Sequence, residues 1–218
     1  MPTINGKNKG LFMQNEIESG GKLPVTEEFY SLQGEGFNTG KASYFIRLAG
    51  CNVKCDFCDI KQAWDVSAAA MTDVEAIIER IIPTKAPNAV ITGGEPTIYD
   101  LNHLTQSLHR HNIKTFLETS GTLEISGTWD WICLSPKHNL HPLESSLKAA
   151  NELKVVIEDE SDFAFAEYFA LQVSGECLLY LQPEWDRRHE TTDKIVEYIK
   201  KNPQWQISIQ SHKYLQIP

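Results

Sequence analysis

The pattern of apolar and polar positions changes from one kind of element to another along the chain. Residues 42–48 form a short apolar-rich run that is typical of a strand. Apolar residues between 74 and 81 recur at helical spacing and predict a helix. Thr72 and Glu75 stand at the spacing of a capping box, and Pro83 marks the end of the helix. The chain therefore begins its regular structure with a strand and then a helix.

The same alternation continues to the end of the chain. Further strands are predicted at 89–92, 113–118, 131–134, 153–157, 177–181 and 205–209, and further helices at 101–108, 161–171 and 192–200. Strands that alternate with helices predict a parallel sheet with right-handed crossovers. With about six strands after the first helix begins, the chain is shorter than a complete eight-stranded barrel of about 250 residues. The predicted fold is α/β, a partial (open) β/α barrel with its helices outside.

Composition and length fit one domain. The chain has 218 residues, of which 41% are hydrophobic and 22% charged, as in ordinary globular proteins. Residues 1–24 are rich in Gly, Asn and Lys, which predicts a flexible N-terminal lead-in. The domain is then expected to span residues 25–218.

Charge and cysteine content narrow the class of function. The net charge is -9 with acidic and basic residues interspersed, so the chain lacks the basic stripe of a nucleic-acid binder. No long apolar span or secretory signal is seen, which predicts no membrane partner. Five cysteines, three of them in one loop, indicate a reducing, cytoplasmic environment rather than a disulfide framework. A small molecule is the expected substrate.

Three cysteines lie within one short loop. Cys51, Cys55 and Cys58 offer soft thiolate ligands, whereas an iron-sulfur cluster usually takes four. The other two, Cys133 and Cys177, stand in distant strand-like runs. A 4Fe-4S cluster held by three thiolates leaves one iron open to a small molecule, as catalytic metal sites do. The alternatives are a zinc knuckle completed by a histidine, and buried thiols that act as small hydrophobes.

Several polar motifs follow directly after predicted strands. They are the cysteine loop, Gly93-Gly94-Glu95-Pro96, Glu118-Thr119-Ser120-Gly121, Ser135-Pro136-Lys137 and Gln182-Pro183-Glu184. Taken singly, each motif could be a turn or a strand terminator. Because the carboxyl ends of parallel strands form the site in barrel-like folds, we expect these motifs to converge on one cavity.

The motifs resemble those of a known family. Cys-x3-Cys-x2-Cys with Phe57 before the last cysteine, followed by Gly-Gly-Glu-Pro, resembles the signature of radical S-adenosylmethionine (SAM) enzymes. Leu32-Gln33-Gly34-Glu35-Gly36 and the ending Ser211-His212-Lys213-Tyr214-Leu215-Gln216-Ile217-Pro218 are similar to 7-carboxy-7-deazaguanine synthases in particular. The resemblance runs from residue 27 to the end, in the same order.

The resemblance implies a reaction and its cofactors. The family contracts the ring of 6-carboxy-5,6,7,8-tetrahydropterin to give 7-carboxy-7-deazaguanine and ammonia, a step toward queuosine and other 7-deazapurines. It implies a carbon-nitrogen lyase with a 4Fe-4S cluster and SAM, an electron donor of the flavodoxin or ferredoxin type, and a homodimer. The residues expected at SAM are Phe57, Cys58, Asp59, Gly94, Glu95, Ser135, Pro136, Lys137, Gln182, Pro183, Glu184 and Trp185. Gly93 and Gly94 are expected to let the backbone approach SAM, with Glu95 beside its amine.

Other residues are implied at the substrate. Those expected to bind the pterin are Leu32, Gln33, Gly34, Arg47, Thr92 and Pro218. Arg47 can hold the substrate carboxylate bidentately, and a free carboxylate at Pro218 would match the N–H donors of the pterin edge. His212 is a candidate second anchor or proton carrier, although a lone histidine could equally be a surface residue. The sequence assigns no single role to Glu118, which could serve SAM or the substrate.

One position departs from the family pattern. The family follows its third cysteine with Asp and then a Thr or Ser whose hydroxyl binds magnesium, whereas this chain has Asp59 and then Ile60. Ile60 has no oxygen for a hard cation, so the magnesium site is in doubt. Two other classes of function remain open: a different radical SAM enzyme, such as a glycyl-radical activase, and a zinc-binding or electron-transfer module without catalysis.

Overall fold

The structure, a computed structural model, describes residues 20–218. The strands are β1 (Lys22–Leu32), β2 (Ala42–Leu48), β3 (Ala70–Asp73), β4 (Asn88–Gly93), β5 (Lys114–Thr119), β6 (Trp131–Leu134), β7 (Glu152–Ile157), β8 (Leu178–Pro183) and β9 (Trp205–Ile207). The helices are α1 (Val74–Ile81), α2 (Asn102–Arg110), α3 (Glu144–Ala149), α4 (Ser161–Ala170), α5 (Arg188–Lys201) and α6 (Ser211–Leu215). None of these helices is long and apolar enough to cross a membrane.

The nine strands of the described chain form one sheet that does not close. Their order is β3-β1-β2-β4-β5-β6-β7-β8-β9, and β2 and β4 to β9 run parallel. Strand β1 is antiparallel to both β2 and β3. Because β3 and β9 lie at opposite ends of this order, the sheet is an open, partial barrel, and the predicted fold class is confirmed.

The helices cover the outside of the sheet with apolar side chains. Helix α1 buries Val74, Ile77, Ile78 and Ile81 against the sheet, in one cluster with the leucines of α2. A second cluster lies beneath α4 and α5, around Phe169. Burial of both faces is what parallel strands require, since they lack a solvated face. Inside the barrel a small apolar cluster forms the floor, and it is made of Phe45, Val90 and Phe116.

Two expectations about local structure are corrected. Thr72 does not cap α1, because it belongs to β3 and its hydroxyl donates to the Ala70 carbonyl oxygen. The helix begins after Asp73, whose side chain makes no capping hydrogen bond. Residues 22–24, expected in the flexible lead-in, belong to β1, where Leu23 is buried. The first 19 residues of that expected lead-in lie outside the described residues.

The open side of the barrel is bridged by two segments that are distant in sequence. The loop after β1 (residues 33–36) contacts the segment before and in α6 (residues 208–212), and we call this contact the seam. The Gly36 amide donates to Ser208 Oγ at 2.9 Å, and the Ser211 amide donates to the Gly34 carbonyl oxygen at 2.9 Å. The seam therefore supplies the wall that the sheet itself leaves missing.

Candidate active site

A cavity of about 490 Å³ opens at the carboxyl ends of the parallel strands. This volume is in the range of small-molecule sites, about 300–1,000 Å³. The sequence-predicted residues on its wall are Leu32, Gln33, Gly34, Arg47, Cys51, Cys55, Phe57, Cys58, Asp59, Thr92, Gly94, Glu95, Ser135, Lys137, Gln182, Pro183, Glu184, Trp185, His212 and Pro218. The strand-end motifs thus meet around one cavity.

The cysteine loop forms one side of this cavity. Cys51, Cys55 and Cys58 are free and half-buried, whereas Cys133 and Cys177 are buried in the sheet region. Lys54 adopts a left-handed backbone (φ 55°), and its amide points at Cys51 Sγ at 3.4 Å. This tight curl turns all three thiols toward the same space.

The donor set of the loop is three thiols, the ligand type that iron-sulfur clusters take. Within residues 20–218 no three His, Cys, Asp or Glu side chains converge as the ligands of one metal ion would. Burial raises the pKa of the Cys55 thiol, and the nearby Lys137 ammonium acts in the opposite direction. Loss of the thiol proton is the step that metal binding requires.

Gly93 and Gly94 serve contacts between protein backbones. A Cβ at Gly93 (φ 130°) would lie 2.1 Å from the Leu48 carbonyl oxygen, and one at Gly94 would lie 2.0 Å from the Gly50 carbonyl oxygen. The Gly94 amide donates to Leu48 O, and the Glu95 amide donates to Gly50 O. The two glycines are therefore required for the β4 end to lie against the start of the cysteine loop. The steric need that the structure shows is protein against protein, and the approach of this backbone to SAM stays a prediction.

The Glu95 carboxylate is buried and fully engaged by protein donors. Its Oε1 accepts from the Thr97 amide, the Thr97 hydroxyl and the Thr119 hydroxyl, the last at 2.5 Å. Its Oε2 accepts from the amide of Ser120 at 2.8 Å and from its hydroxyl. The three bonds from Thr119 and Ser120 tie the end of β4 to the end of β5. Glu95 thereby fixes the relative position of two strand-end loops on the cavity wall.

Arg47 stands on the wall formed by β2 and β4. It is in register with Thr92, and both residues line the cavity. The Arg47 Nε pairs with Glu27 at 2.9 Å, and the guanidinium lies 5.7 Å from the ring centre of Phe29. Among the described residues its two terminal nitrogens have no partner. This wall therefore presents a fixed, bidentate donor for an anion.

A buried ion network lies beneath the cavity. Lys154 is 4% exposed, and its Nζ contacts Glu35 Oε2 at 2.6 Å and Glu118 Oε2 at 3.0 Å. Gln33 Nε2 donates to the other oxygen of Glu118 at 3.0 Å. Burial alone would lower the pKa of Lys154, but the surrounding acidic groups, Glu118 and Glu35 among them, raise it well above its ordinary value. The lysine thus stays charged and holds both carboxylates in place.

Glu35 and His212 belong to the same environment. Burial acts to raise the pKa of Glu35, but the Lys154 charge and hydrogen bonds from Lys154 and Gln210 lower it from 4.5 to about 2. Burial lowers the pKa of His212, with the Glu35 charge opposing. A Cβ on Gly34 would lie 2.1 Å from His212 Nδ1, so the imidazole lies directly on this glycine. The histidine is part of the cavity wall and is half-buried.

Helix α6 is fastened across the mouth of the cavity. Lys213 Nζ pairs with Asp59 Oδ2 at 2.8 Å and lies 4.9 Å from the ring centre of Trp185. Tyr214 meets Trp185 edge to face at 5.1 Å. The helix therefore links the cysteine loop to the loop after β8, two segments that sequence reasoning assigned to SAM.

One predicted site residue is not on the wall, and several wall residues were missed. Pro136 is buried away from the cavity, because the chain alternates its faces and turns Ser135 and Lys137 inward. Lys154 could have been found, since a lysine inside an otherwise apolar strand run is unusual. Trp64, in a 3-10 turn after the cysteine loop, also lines the cavity and gave no sequence signal.

The fold and the three-cysteine loop at its strand ends define a protein of the radical SAM superfamily. The model of that superfamily matches residues 45–164. The 7-carboxy-7-deazaguanine synthase of Flavobacterium psychrophilum is 46% identical over 207 residues, covering 94% of this chain and 98% of the relative. This chain belongs to the 7-carboxy-7-deazaguanine synthase family.

Two further comparisons agree with this assignment. The 7-carboxy-7-deazaguanine synthase of Escherichia coli K12 is 36% identical over 224 residues, covering 90% of this chain and 99% of the relative. The crystal structure of QueE from Escherichia coli matches with a TM-score of 0.81 at 31% identity, covering 91% of this chain and 98% of that one.

Proposed function

We propose that this chain contracts the ring of 6-carboxy-5,6,7,8-tetrahydropterin to 7-carboxy-7-deazaguanine with loss of ammonia. The observation that carries the proposal is that the three cysteines, the Gly93-Gly94-Glu95 segment and Arg47 line one cavity of about 490 Å³. The composition of the substrate minus ammonia equals that of the product, so the reaction needs no net oxidant or reductant. We accordingly propose a carbon-nitrogen lyase, and its free cysteines favour the reducing cytoplasm as its location.

The cysteine side of the cavity is suited to the cofactors. Cys51, Cys55 and Cys58 would hold a 4Fe-4S cluster, which together with SAM would supply the radical chemistry for hydrogen abstraction. Asp59, Ser135 and the loop after β8 surround the space beside the thiols and orient SAM. Lys137, whose pKa is lowered by burial, donates to Ser135 Oγ at 2.6 Å and fixes that hydroxyl.

The β2–β4 wall is suited to the pterin. Arg47 offers its terminal nitrogens to the substrate carboxylate, and Thr92 beside it offers a hydroxyl. The side chain of Gln33 is occupied within the protein, since its Oε1 accepts from the Gly34 and Glu35 amides at 2.8 and 3.2 Å. Gln33 therefore shapes the loop, and residues 32–34 line the cavity beside the proposed pterin site. Helix α6 over the mouth excludes water from the radical chemistry.

We propose that magnesium binds only weakly at this site and assists the binding of the substrate. Ile60 lines the cavity where the family places a hydroxyl, and it offers no oxygen. Magnesium keeps several waters and uses few protein ligands, so the substrate carboxylate can still bring a magnesium ion into the site. We further propose that a flavodoxin or ferredoxin supplies the electron and that the chain acts as a homodimer.

The test is a single anaerobic reaction. Reconstituted enzyme, SAM and dithionite are incubated with 6-carboxy-5,6,7,8-tetrahydropterin, and the products are identified by mass spectrometry. We expect 7-carboxy-7-deazaguanine and ammonia in equal amounts. If SAM is cleaved without any product while a protein partner acquires a glycyl radical, the chain is instead an activase.

A further inference from the structure

We propose that the Lys61 ammonium binds the carboxylate of the pterin and gives this anion a second positive charge in addition to Arg47. The inference rests on the proposed function, because the pterin is the ligand that brings the carboxylate. It adds a substrate-binding residue that the strand-end motifs do not contain.

The first observation is the set of positive charges in the cavity. The lysine and arginine side chains on its wall are Arg47, Lys61, Lys137, Lys154 and Lys213. Arg47, Lys154 and Lys213 are paired with carboxylates of the protein. Lys61 and Lys137 form no ion pair with any other residue in the range 20–218. The proposed SAM and pterin each bring one carboxylate, so two anionic groups enter a cavity that has two unpaired cations.

The second observation assigns Lys137 to the SAM side of the cavity. Its Nζ lies 5.9 Å from the ring centre of Phe57, the residue before the last cysteine of the loop. It also donates to Ser135 Oγ at 2.6 Å. Lys137 therefore stands next to the cysteine loop, where SAM is proposed to bind. The pterin carboxylate is left with Lys61 as its unpaired cation.

The third observation is the position of the 3-10 turn Lys61–Trp64. Its Ala63 carbonyl oxygen accepts from the Gly50 amide at 2.8 Å and lies 3.1 Å from where a Cβ of Gly94 would stand. These two glycines follow the ends of β2 and β4. The turn therefore lies against the two strand ends that form the wall proposed for the pterin. Arg47, the first donor for the carboxylate, is on this wall.

The side chain of Lys61 is accessible to a ligand. It is exposed, lines the cavity, and holds its Nζ 5.9 Å from the ring centre of Trp64. An ammonium is a point charge with three donors, whereas the Arg47 guanidinium is a planar fork. A carboxylate has about four lone-pair sites, so it can accept from both groups at once. Lys61 thus supplies a positive charge directly after Ile60, the position that has no oxygen for a metal ion.

The chain offers matched lysine variants. Lys61→Met removes the charge and keeps a side chain of similar length, and Lys61→Arg keeps the charge. Lys114→Met is the control, because Lys114 is exposed at the start of β5, at the opposite end of the strand from the cavity. Iron content and melting temperature show whether each variant keeps its cluster and its fold.

The experiment measures binding of two redox-inert probes to the reconstituted enzyme with SAM, by calorimetry in magnesium-free buffer. The probes are 6-carboxypterin and pterin, which differ only in the carboxylate. We expect Lys61→Met to weaken 6-carboxypterin binding about threefold to tenfold, the loss typical of a partly exposed charge pair. Lys61→Arg should stay within about twofold of the wild type, because it keeps the charge. Affinities for pterin and for SAM should change less than about twofold in every variant, as should all affinities of Lys114→Met, because these contacts do not use the Lys61 charge.

An unchanged affinity of Lys61→Met for 6-carboxypterin overturns the inference. Equal weakening of both probes means that Lys61 contacts the ring, and weakened SAM binding alone means that it holds the SAM carboxylate; either result overturns the inference and leaves the proposed function standing. A wild type that binds neither probe overturns the proposed function and the inference with it. If Lys61→Met loses its fold, a crystal structure of the wild type with 6-carboxypterin decides the question. A distance above about 4 Å between Lys61 Nζ and the nearest carboxylate oxygen is then contrary to the inference.

Discussion

Charged side chains at the base of the cavity are held by one another. Lys154 contacts Glu35 and Glu118, and Gln210 Nε2 donates to the second oxygen of Glu35 at 2.9 Å. Removing one member of such a buried group leaves an uncompensated charge, which costs far more than an exposed pair does. The residues that face the ligands are therefore backed by a rigid ionic layer.

The first prediction concerns the three cluster cysteines. Cys51→Ala, Cys55→Ala and Cys58→Ala should each abolish SAM cleavage and reduce iron well below the about four atoms per chain of a 4Fe-4S protein. The controls are Cys133→Ala and Cys177→Ala, which remove buried thiols; burial raises the pKa of Cys177 to about 12. Anaerobic iron and sulfide analysis measures the difference. Full iron content in any of the first three variants contradicts the ligand assignment.

The second prediction concerns Ile60 and magnesium. Activity of the wild type should respond only weakly to magnesium, because Ile60 provides no oxygen ligand. Ile60→Thr should show a stronger response, and Ile60→Val is the control of the same shape without a hydroxyl. The measurement is a magnesium titration of chelator-treated enzyme under anaerobic turnover. A large saturable stimulation of the wild type, equal to that of Ile60→Thr, would show that the hydroxyl is irrelevant.

The third prediction concerns acid and Glu35. Its pKa is lowered from 4.5 to about 2 in the folded protein, so the folded state binds the proton less readily than the unfolded state. The resulting stability is fully present above pH 4.5 and is lost as the pH falls toward 2. Glu35→Gln should remove this part of the pH dependence, on the order of 2–3 kcal/mol in the free energy of unfolding. Urea denaturation between pH 5 and 2.5 measures the free energy of unfolding of both proteins, and Glu176→Gln, at an exposed position, is the control. If the free energy of unfolding falls with pH equally in the wild type and in Glu35→Gln, the prediction is wrong.

At the scale of elements, the cavity depends on how α6 meets the loop after β1. Ser211 donates to the Gly34 carbonyl oxygen through both its amide and its hydroxyl. His212 covers Gly34, and Lys213 reaches across to Asp59. A five-residue helix is too short to be stable alone, so these contacts determine where it lies.

The fourth prediction tests this docking. Gly34→Ala places a methyl group 2.1 Å from His212 Nδ1, so α6 must move away from the cavity mouth. We expect the KM for the pterin to rise about tenfold or more, as lost positioning contacts of 1–2 kcal/mol would require, while SAM cleavage without substrate persists. Gly175→Ala is the control, because nothing lies within 4 Å of its added Cβ. An unchanged KM for Gly34→Ala would show that the helix position does not matter.

The strands of the parallel sheet could be predicted, and their apolar runs are the reason. Residues 131–134 were predicted as a strand with the bounds that β6 has. Strand β1 was missed, because polar and charged residues interrupt its apolar ones and Pro24 stands near its start. Helix α6 was missed as well, since its five residues carry too little periodicity. Elements that rely on tertiary contacts leave a weak local pattern.

At the scale of the whole molecule, the strand-end motifs predicted the composition of the cavity wall because topology brings them together. What could not be predicted is the pairing beneath it. Lys154 and Glu35 are 119 positions apart, and nothing local to either residue reveals the other. The roles of Gly93 and Gly94 were equally hidden, since they depend on the backbone of another segment. Motifs located the site, and long-range contacts give it shape.

The fifth prediction concerns turnover as a whole. Because the overall reaction needs no net electron, SAM should be regenerated in each cycle, and product should exceed the SAM consumed. Deuterium placed at C6 of the substrate should appear in recovered SAM, since the substrate-derived radical takes hydrogen back from 5'-deoxyadenosine. Mass analysis of SAM after several turnovers measures this. One 5'-deoxyadenosine formed for every product molecule would contradict the expected cycle.

The seam also has a consequence for how the molecule is made. Gly36 and Ser208, which it joins, are 172 positions apart, and the cysteine loop follows Gly36 closely. A growing chain is released from the N-terminal side first, at about 5–20 residues per second. The three thiols are therefore synthesised before the second half of the seam exists. The cavity beside the loop can therefore close only after residues 208–212 have been made, so its completion is one of the last events in the synthesis of the chain.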